Sequence, residues 1–317
     1  MTEGCRAPHA RPRAPRGAAT DGAANTASKT VYPCAYEVFR GRTRADKLPA
    51  VPARKLSTSL KLAVQALYSI TVWFAVFIGM ACVIIVWAAT SIFVGVREAQ
   101  TRYGNPVMAM CLRLTLSKIE VIRHPDFDPQ RRSMYVQNHV NVMDAHAACC
   151  ALSHAFCGIM NAWQFKIPFY GWIMRHAGGI PVRAGSANQY AEIAEAARQR
   201  VTEGLSILVY PEAHRTRDGK VHDFKKGAFL MARDAGLPIV PLATRGMFEM
   251  NRKGTWLFKP SKITLYVGAP IETVGLSNEQ MLAIIERTHK LISDFAERGI
   301  IPEAEPETEP DSPLLAP

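Results

Sequence analysis

The chain has no CxxC pair, no GxSxG turn, no internal repeat and, from Leu62 to Val96, no charged residue. Each absence excludes something. Seven cysteines in 317 residues, two of them adjacent at Cys149 and Cys150, make no disulfide framework, so the thiols are read as reduced and the environment as cytosolic. Without GxSxG there is no nucleophile elbow of the α/β-hydrolase kind. An apolar content of 48% and a charged content of 21% exclude a wholly disordered chain, and a single long apolar run excludes a polytopic membrane protein. The length suits two units, or one large α/β domain with additions.

What is present is unevenly distributed charge. The net +11 includes 12 Lys/Arg against 4 Asp/Glu in residues 1–61, and residues 302–317 hold 5 acids and no base. The remaining middle is itself +8. A basic body calls for an anionic partner: nucleic acid, an acidic lipid surface or a phosphorylated substrate. Residues 1–55, rich in Arg, Pro, Ala and Gly, read as a disordered basic tail, and 302–317 as an acidic disordered tail.

The charge-free run marks residues 56–100 as a membrane-embedded helical hairpin or a tilted span. As one helix its 35 residues would measure roughly 52 Å, well beyond about 30 Å of hydrocarbon. Lys47, Arg54, Lys55 and Lys61 precede it and Arg97, Arg102, Arg113 and Lys118 follow it, so both ends read as cytoplasmic. That favours a re-entrant hairpin bending near Gly79, with Trp73 and Trp87 at headgroup level.

From about residue 116 short strands and helices alternate. Strands are expected at 119–123, 134–138, 179–182, 206–210, 238–243 and 262–268. Helices are expected at 142–155, 186–204 with Ser186 as N-cap, 225–236 and 277–298. The pattern predicts an α/β fold for 101–301, a mixed, largely parallel sheet flanked by helices. Pro238 and Pro241 place the 238–243 strand at an edge or a strand end.

Four segments carry chemistry. In QNHVNVMDAH (137–146), His139 stands at a strand end and Asp144 in the first helical turn. That carboxylate can hold the imidazole tautomer and stabilise the imidazolium formed when His139 takes a proton. In KIPFYGWIMRHAGGIPVRAG (166–185), Lys166 and Arg183 bracket a helix and a strand. In LVYPEAHRTRDG (208–219), Glu212 and Arg215 lie just beyond a buried strand, where α/β sheets bind ligands, and a guanidinium fork suits phosphate. LPIVPLA (237–243) is the fourth.

In these four ordered blocks the sequence resembles the glycerolipid acyltransferase family. N-H-V-N-V-M-D at 138–144 matches its NHxSxxD pattern, the HX4D motif, with Asn141 where Ser is usual. K-I-P-F-Y-G matches KxPxxG, Y-P-E-A-H-R at 210–215 matches FPEGTR, and I-V-P-L at 239–242 matches the last block. The resemblance covers roughly residues 60–300. It implies acyl transfer from acyl-CoA or acyl carrier protein to a lysolipid hydroxyl, with 1-acyl-glycerol-3-phosphate as the leading acceptor. It implies His139 as general base, Asp144 as its orienter, and Glu212, Arg215, Lys166 and Arg183 around the acceptor head group. No acyl-enzyme, metal or other cofactor is implied. Ala213 and His214 depart from the family's Gly and Thr, which bears on acceptor identity.

Two other readings use the same residues. Cys149, Cys150 and Cys157 near His139 would suit a cysteine nucleophile, although their apolar neighbours suit structural thiols better. A nonenzymatic module binding nucleic acid or membrane surface would use the net charge. The chain has no aromatic-basic strand motif and no zinc finger, so no nucleic acid is expected.

Overall fold

The computed structural model describes residues 57–183 and 189–301. Both tails and the Ser186 N-cap lie outside them.

The chain begins with α1 (Thr58–Val94), capped by the Ser57 hydroxyl, which accepts from the Leu60 N–H. A short helical turn α2 (Val96–Ala99) and a π-helical turn lead into α3 (Asn105–Arg113). The sheet domain then follows: β1 (Lys118–Arg123), β2 (Met134–Gln137), α4 (Asp144–Ala151), β3 (Phe156–Asn161), α5 (Tyr170–His176), β4 (Ile180–Val182), α6 (Gln189–Thr202) and β5 (Ser206–Val209). It closes with α7 (Lys226–Asp234), β6 (Ile239–Arg245), the single turn α8 (Met247–Met250), β7 (Lys262–Val267) and α9 (Asn278–Ser293), which opens with a Ser277–Gln280 capping box.

Among the described residues the strands form one sheet in the order β1-β7-β6-β2-β5-β3-β4, parallel except where β6 meets β7. The expected α/β architecture is therefore the observed one. The β6–β7 connection has no full crossover helix, so β7 returns antiparallel, and β1 pairs with it in parallel. Gly246 starts that return at φ 87°, where a Cβ would sit 1.9 Å from the Lys262 carbonyl oxygen.

Strand alternation divides the core between the two faces. Tyr135, Leu208, Val240 and Leu242 face α1, α3 and α4; Met134, Val136, Ile207, Val209 and Ile239 face α6, α7 and α9. β2 and β5 are buried at every residue, as central parallel strands are.

Three sequence expectations change. The 238–243 segment is not an edge: β6 lies between β7 and β2. Pro241 is tolerated because its carbonyl accepts from the Gly268 N–H, just past the end of β7. A strand residue's nitrogen points to the same side as its carbonyl, so the missing donor falls where the ladder has already stopped. β3 was not foreseen; Gly158 interrupts its pattern, and the 142–155 helix ends earlier, at Ala151. The hairpin is not formed either, because α1 runs unbroken through Gly79.

Gly79 serves packing instead: a Cβ there would lie 2.5 Å from Cys111 Sγ on α3. Val72, Val76, Val83 and Trp87 form a buried stripe at helical spacing against the domain. Trp87 is 2% exposed and donates to the Val96 carbonyl, and Trp73 donates to the Trp256 carbonyl. Neither indole stands free at a headgroup level. The opposite face exposes Leu67, Ile70, Phe74, Phe77, Ile85 and Phe93.

Candidate active site

Parallel strands end their carbonyl-terminal tips on one rim, and loops there are free to carry chemistry. His139 follows β2, Lys166 follows β3, Arg183 follows β4, and Glu212 and Arg215 follow β5.

His139 and Asp144 meet. Nδ1 of the imidazole lies 2.8 Å from Asp144 Oδ2, with the His139 side chain 23% exposed and that of Asp144 1%. The same Oδ2 accepts the N–H groups of Val140 (2.7 Å) and Asn141 (2.9 Å). Asp144 thus occupies the first turn of α4 and folds the 139–141 loop around itself. With Nδ1 on the carboxylate, Nε2 has no hydrogen bond among the described residues, and the side chain is partly exposed. The ring stacks on Tyr210, centroids 4.1 Å apart and planes 15° apart, which fixes its tilt.

The loop after β5 clamps the backbone of the histidine. Glu212 Oε1 accepts the His139 N–H at 2.7 Å, and the Thr216 N–H donates to the His139 carbonyl at 2.8 Å. The second oxygen of Glu212 accepts the His222 N–H at 2.9 Å. Burial pushes the Glu212 carboxyl above its usual range, and those N–H bonds oppose the push. Both Glu212 oxygens are therefore engaged with backbone N–H groups, one of them that of His139.

Arg215 is half-buried on the same loop, and Lys253 Nζ donates to its carbonyl at 3.1 Å, bringing a second cation to the rim. Lys166 and Arg183 are exposed and open onto a different concavity, shared with Arg175 and Arg200, which none of His139, Asp144, Glu212 or Arg215 lines.

Several motif positions have structural roles that the sequence did not assign. Asn138 exchanges two hydrogen bonds with the backbone of Thr244, tying the end of β2 to β6. Asn141 donates to the carbonyls of Met247 and Asn251 and accepts from the Met143 N–H. A serine hydroxyl could not bridge both carbonyls, which accounts for the departure at this position. Tyr210, where the family pattern has Phe, keeps the stacked ring. Ala213 adopts φ 64°, the left-handed turn that the family's glycine enters freely.

The thiols are poorly suited to nucleophilic work. Burial pushes Cys149 and Cys150 up, and Cys157 up to about 12, so thiolate is suppressed.

An imidazole oriented by a buried carboxylate thus stands at the end of a central strand of a mostly parallel sheet. Residues 113–245 match the family model described as Acyltransferase. A 1-acyl-sn-glycerol-3-phosphate acyltransferase of Limnanthes douglasii is 31% identical over 145 residues, 45% of this chain and 52% of the relative. One of Cocos nucifera is 27% identical over 225 residues, 69% of this chain and 73% of the relative. The chain spans about a third to a half of the length of several of these relatives, 35% for the Brassica napus chloroplastic protein. Among solved structures, PlsC of Thermotoga maritima, a 1-acyl-sn-glycerophosphate acyltransferase, aligns with TM-score 0.62 at 22% identity, over 75% of this chain and 99% of that one, and shares the fold. Over these residues the chain is similar to the glycerolipid acyltransferases, and it shares the fold of PlsC.

Proposed function

We propose that this protein transfers an acyl chain from an acyl thioester to the hydroxyl of a lysolipid, 1-acyl-glycerol-3-phosphate above all, giving phosphatidate. The observation that carries it is the His139–Asp144 pair at 2.8 Å, which leaves Nε2 without a hydrogen bond among the described residues. His139 Nε2 takes the proton of the acceptor hydroxyl as its oxygen attacks the thioester carbonyl. The C–O bond forms, the C–S bond breaks, and the proton passes from the imidazolium to the departing thiolate. Asp144 stabilises the imidazolium meanwhile. Arg215, with Lys253 beside it, meets the acceptor phosphate, a task suited to a guanidinium fork and an ammonium point charge. The names of the relatives support the acceptor class, and the raised thiols support direct transfer without an acyl-enzyme.

The protein works on the cytoplasmic face of a membrane in this reading. The exposed apolar face of α1 enters one leaflet while its other face stays on the domain.

The test is acyl transfer by membranes holding the full chain, with lysophosphatidate, glycerol-3-phosphate and other lysophospholipids as acceptors. His139→Ala lowers turnover about 10²–10⁴-fold, the usual contribution of a positioned base, with membrane attachment unchanged. An active His139→Ala variant, together with a stable acyl adduct on Cys149, Cys150 or Cys157 after incubation with donor alone, would refute it.

A further inference from the structure

The outer edge of the sheet carries a second basic site. Lys166, Arg175, Arg183 and Arg200 line a concavity of about 680 Å³ whose wall includes Trp163 and Pro181. Two of the four cations are held in place: Arg175 donates to the Phe165 carbonyl, and Arg200 Nε to the Gly178 carbonyl at 2.8 Å. Arg200 also pairs with Glu203, which is shared with Arg97, so that carboxylate is neutralised by two guanidinium groups. Trp163 is 61% exposed, a large aromatic face left in water beside these charges.

β4 stands three places from β2 in the sheet. At about 4.8 Å per strand the concavity lies roughly 14 Å from the strand that carries His139. A lysolipid's phosphate is only a few bonds from its reacting hydroxyl and cannot reach both places. An acyl-CoA can: its pantetheine arm has about as many backbone bonds as a four-residue chain and extends roughly 15 Å.

We propose that this concavity holds the nucleotide end of an acyl-CoA donor, its phosphates among Lys166, Arg183 and the two anchored arginines and its adenine against Trp163. The proposal rests on the acyl-transfer reading and fixes its donor. Several phosphates on one ligand call for several cations, and a planar base calls for an aromatic face. The volume falls in the range of small-molecule sites, about 300–1,000 Å³. Lys166 and Arg183 are thereby moved from the acceptor to the donor.

Full-length protein in vesicles is assayed with acyl-CoA, acyl-dephospho-CoA lacking the 3′-phosphate, and S-acyl-pantetheine lacking the whole nucleotide. Trp163→Ala and Arg183→Gln should each lower kcat/KM for acyl-CoA about tenfold, through KM, and leave S-acyl-pantetheine unchanged. Arg183→Gln should be milder on acyl-dephospho-CoA. Equal losses on S-acyl-pantetheine, a raised KM for the lysolipid, a defect confined to acyl carrier protein, or no change would each overturn the assignment. Calorimetric binding of desulfo-CoA gives a readout independent of turnover. If the unmutated chain transfers no acyl group but binds desulfo-CoA, and the variants bind it about tenfold more weakly, the function proposed above fails and the nucleotide site stands.

Discussion

His146 lies two residues past Asp144, with both ring nitrogens buried and without hydrogen-bond partners. Burial alone lowers its pKa from 6.5 to about 4. The unfolded chain therefore binds a proton that the fold refuses, and stability is lost as pH falls from 6.5 toward 4, by about 3 kcal/mol at 1.36 kcal/mol per pH unit. Above pH 6.5 the residue adds no pH dependence. His146→Leu should flatten acid unfolding across that window, read by thermal melts from pH 7 to 4; an unchanged slope would place the acid sensitivity elsewhere. Ala213 stores backbone strain at the turn beside Glu212. Ala213→Gly should raise stability by about 0.5–1 kcal/mol, the left-handed cost removed less the entropy glycine adds. Chemical denaturation measures it, and a loss of stability would show that the Ala213 methyl does more than strain its turn. The motif residues His139 and Asp144 were legible because a local spacing of five, a strand end and a helix start suffice to join them. The clamp by Glu212 and Thr216, the stacking of Tyr210 and the bridge by Asn141 were not, since each links segments far apart in the chain.

Of the two readings the sequence left for 56–100, α1 is the unbroken helix rather than the hairpin, and it is long and apolar enough to cross a membrane. Its charge-free composition shows that it must avoid water, but not what it packs against. Gly79 reads as a hinge in isolation and proves to be the place where α3 comes close. Thirty-seven residues make a rod of about 55 Å. The buried stripe from Val72 to Trp87 runs along the domain, so a bilayer crossing would drag the domain's flank into hydrocarbon or strip the stripe bare. In the reading proposed above, the helix lies in one leaflet with both ends in the same compartment. Lys61→Cys and Arg102→Cys, probed one at a time with an impermeant thiol reagent on sealed vesicles, should label from the same side. Labelling from opposite sides would mean that α1 crosses and leaves the domain.

At the scale of the whole molecule, the sequence by itself determined the α/β class, the strand–helix alternation, the His139–Asp144 pair and the family, because each is written in short-range periodicity or in fixed spacing. Hydrophobic period specifies which face of an element is buried, and a buried parallel strand such as β5 announces itself as an apolar run. Tertiary structure alone decided the order β1-β7-β6-β2-β5-β3-β4, since strand neighbours are chosen by packing and connection length rather than by local pattern. It turned β7 antiparallel, admitted Pro241 to the sheet's interior and laid α1 along the domain. It also divided the basic side chains into two sets, Arg215 with Lys253 on its carbonyl, beside the loop that holds the His139 backbone, and Lys166 and Arg183 at the far edge. Lys166, Arg183 and Arg215 look alike in a sequence, each a cation beyond a strand, yet they take different surroundings because β3, β4 and β5 stand at different distances from β2.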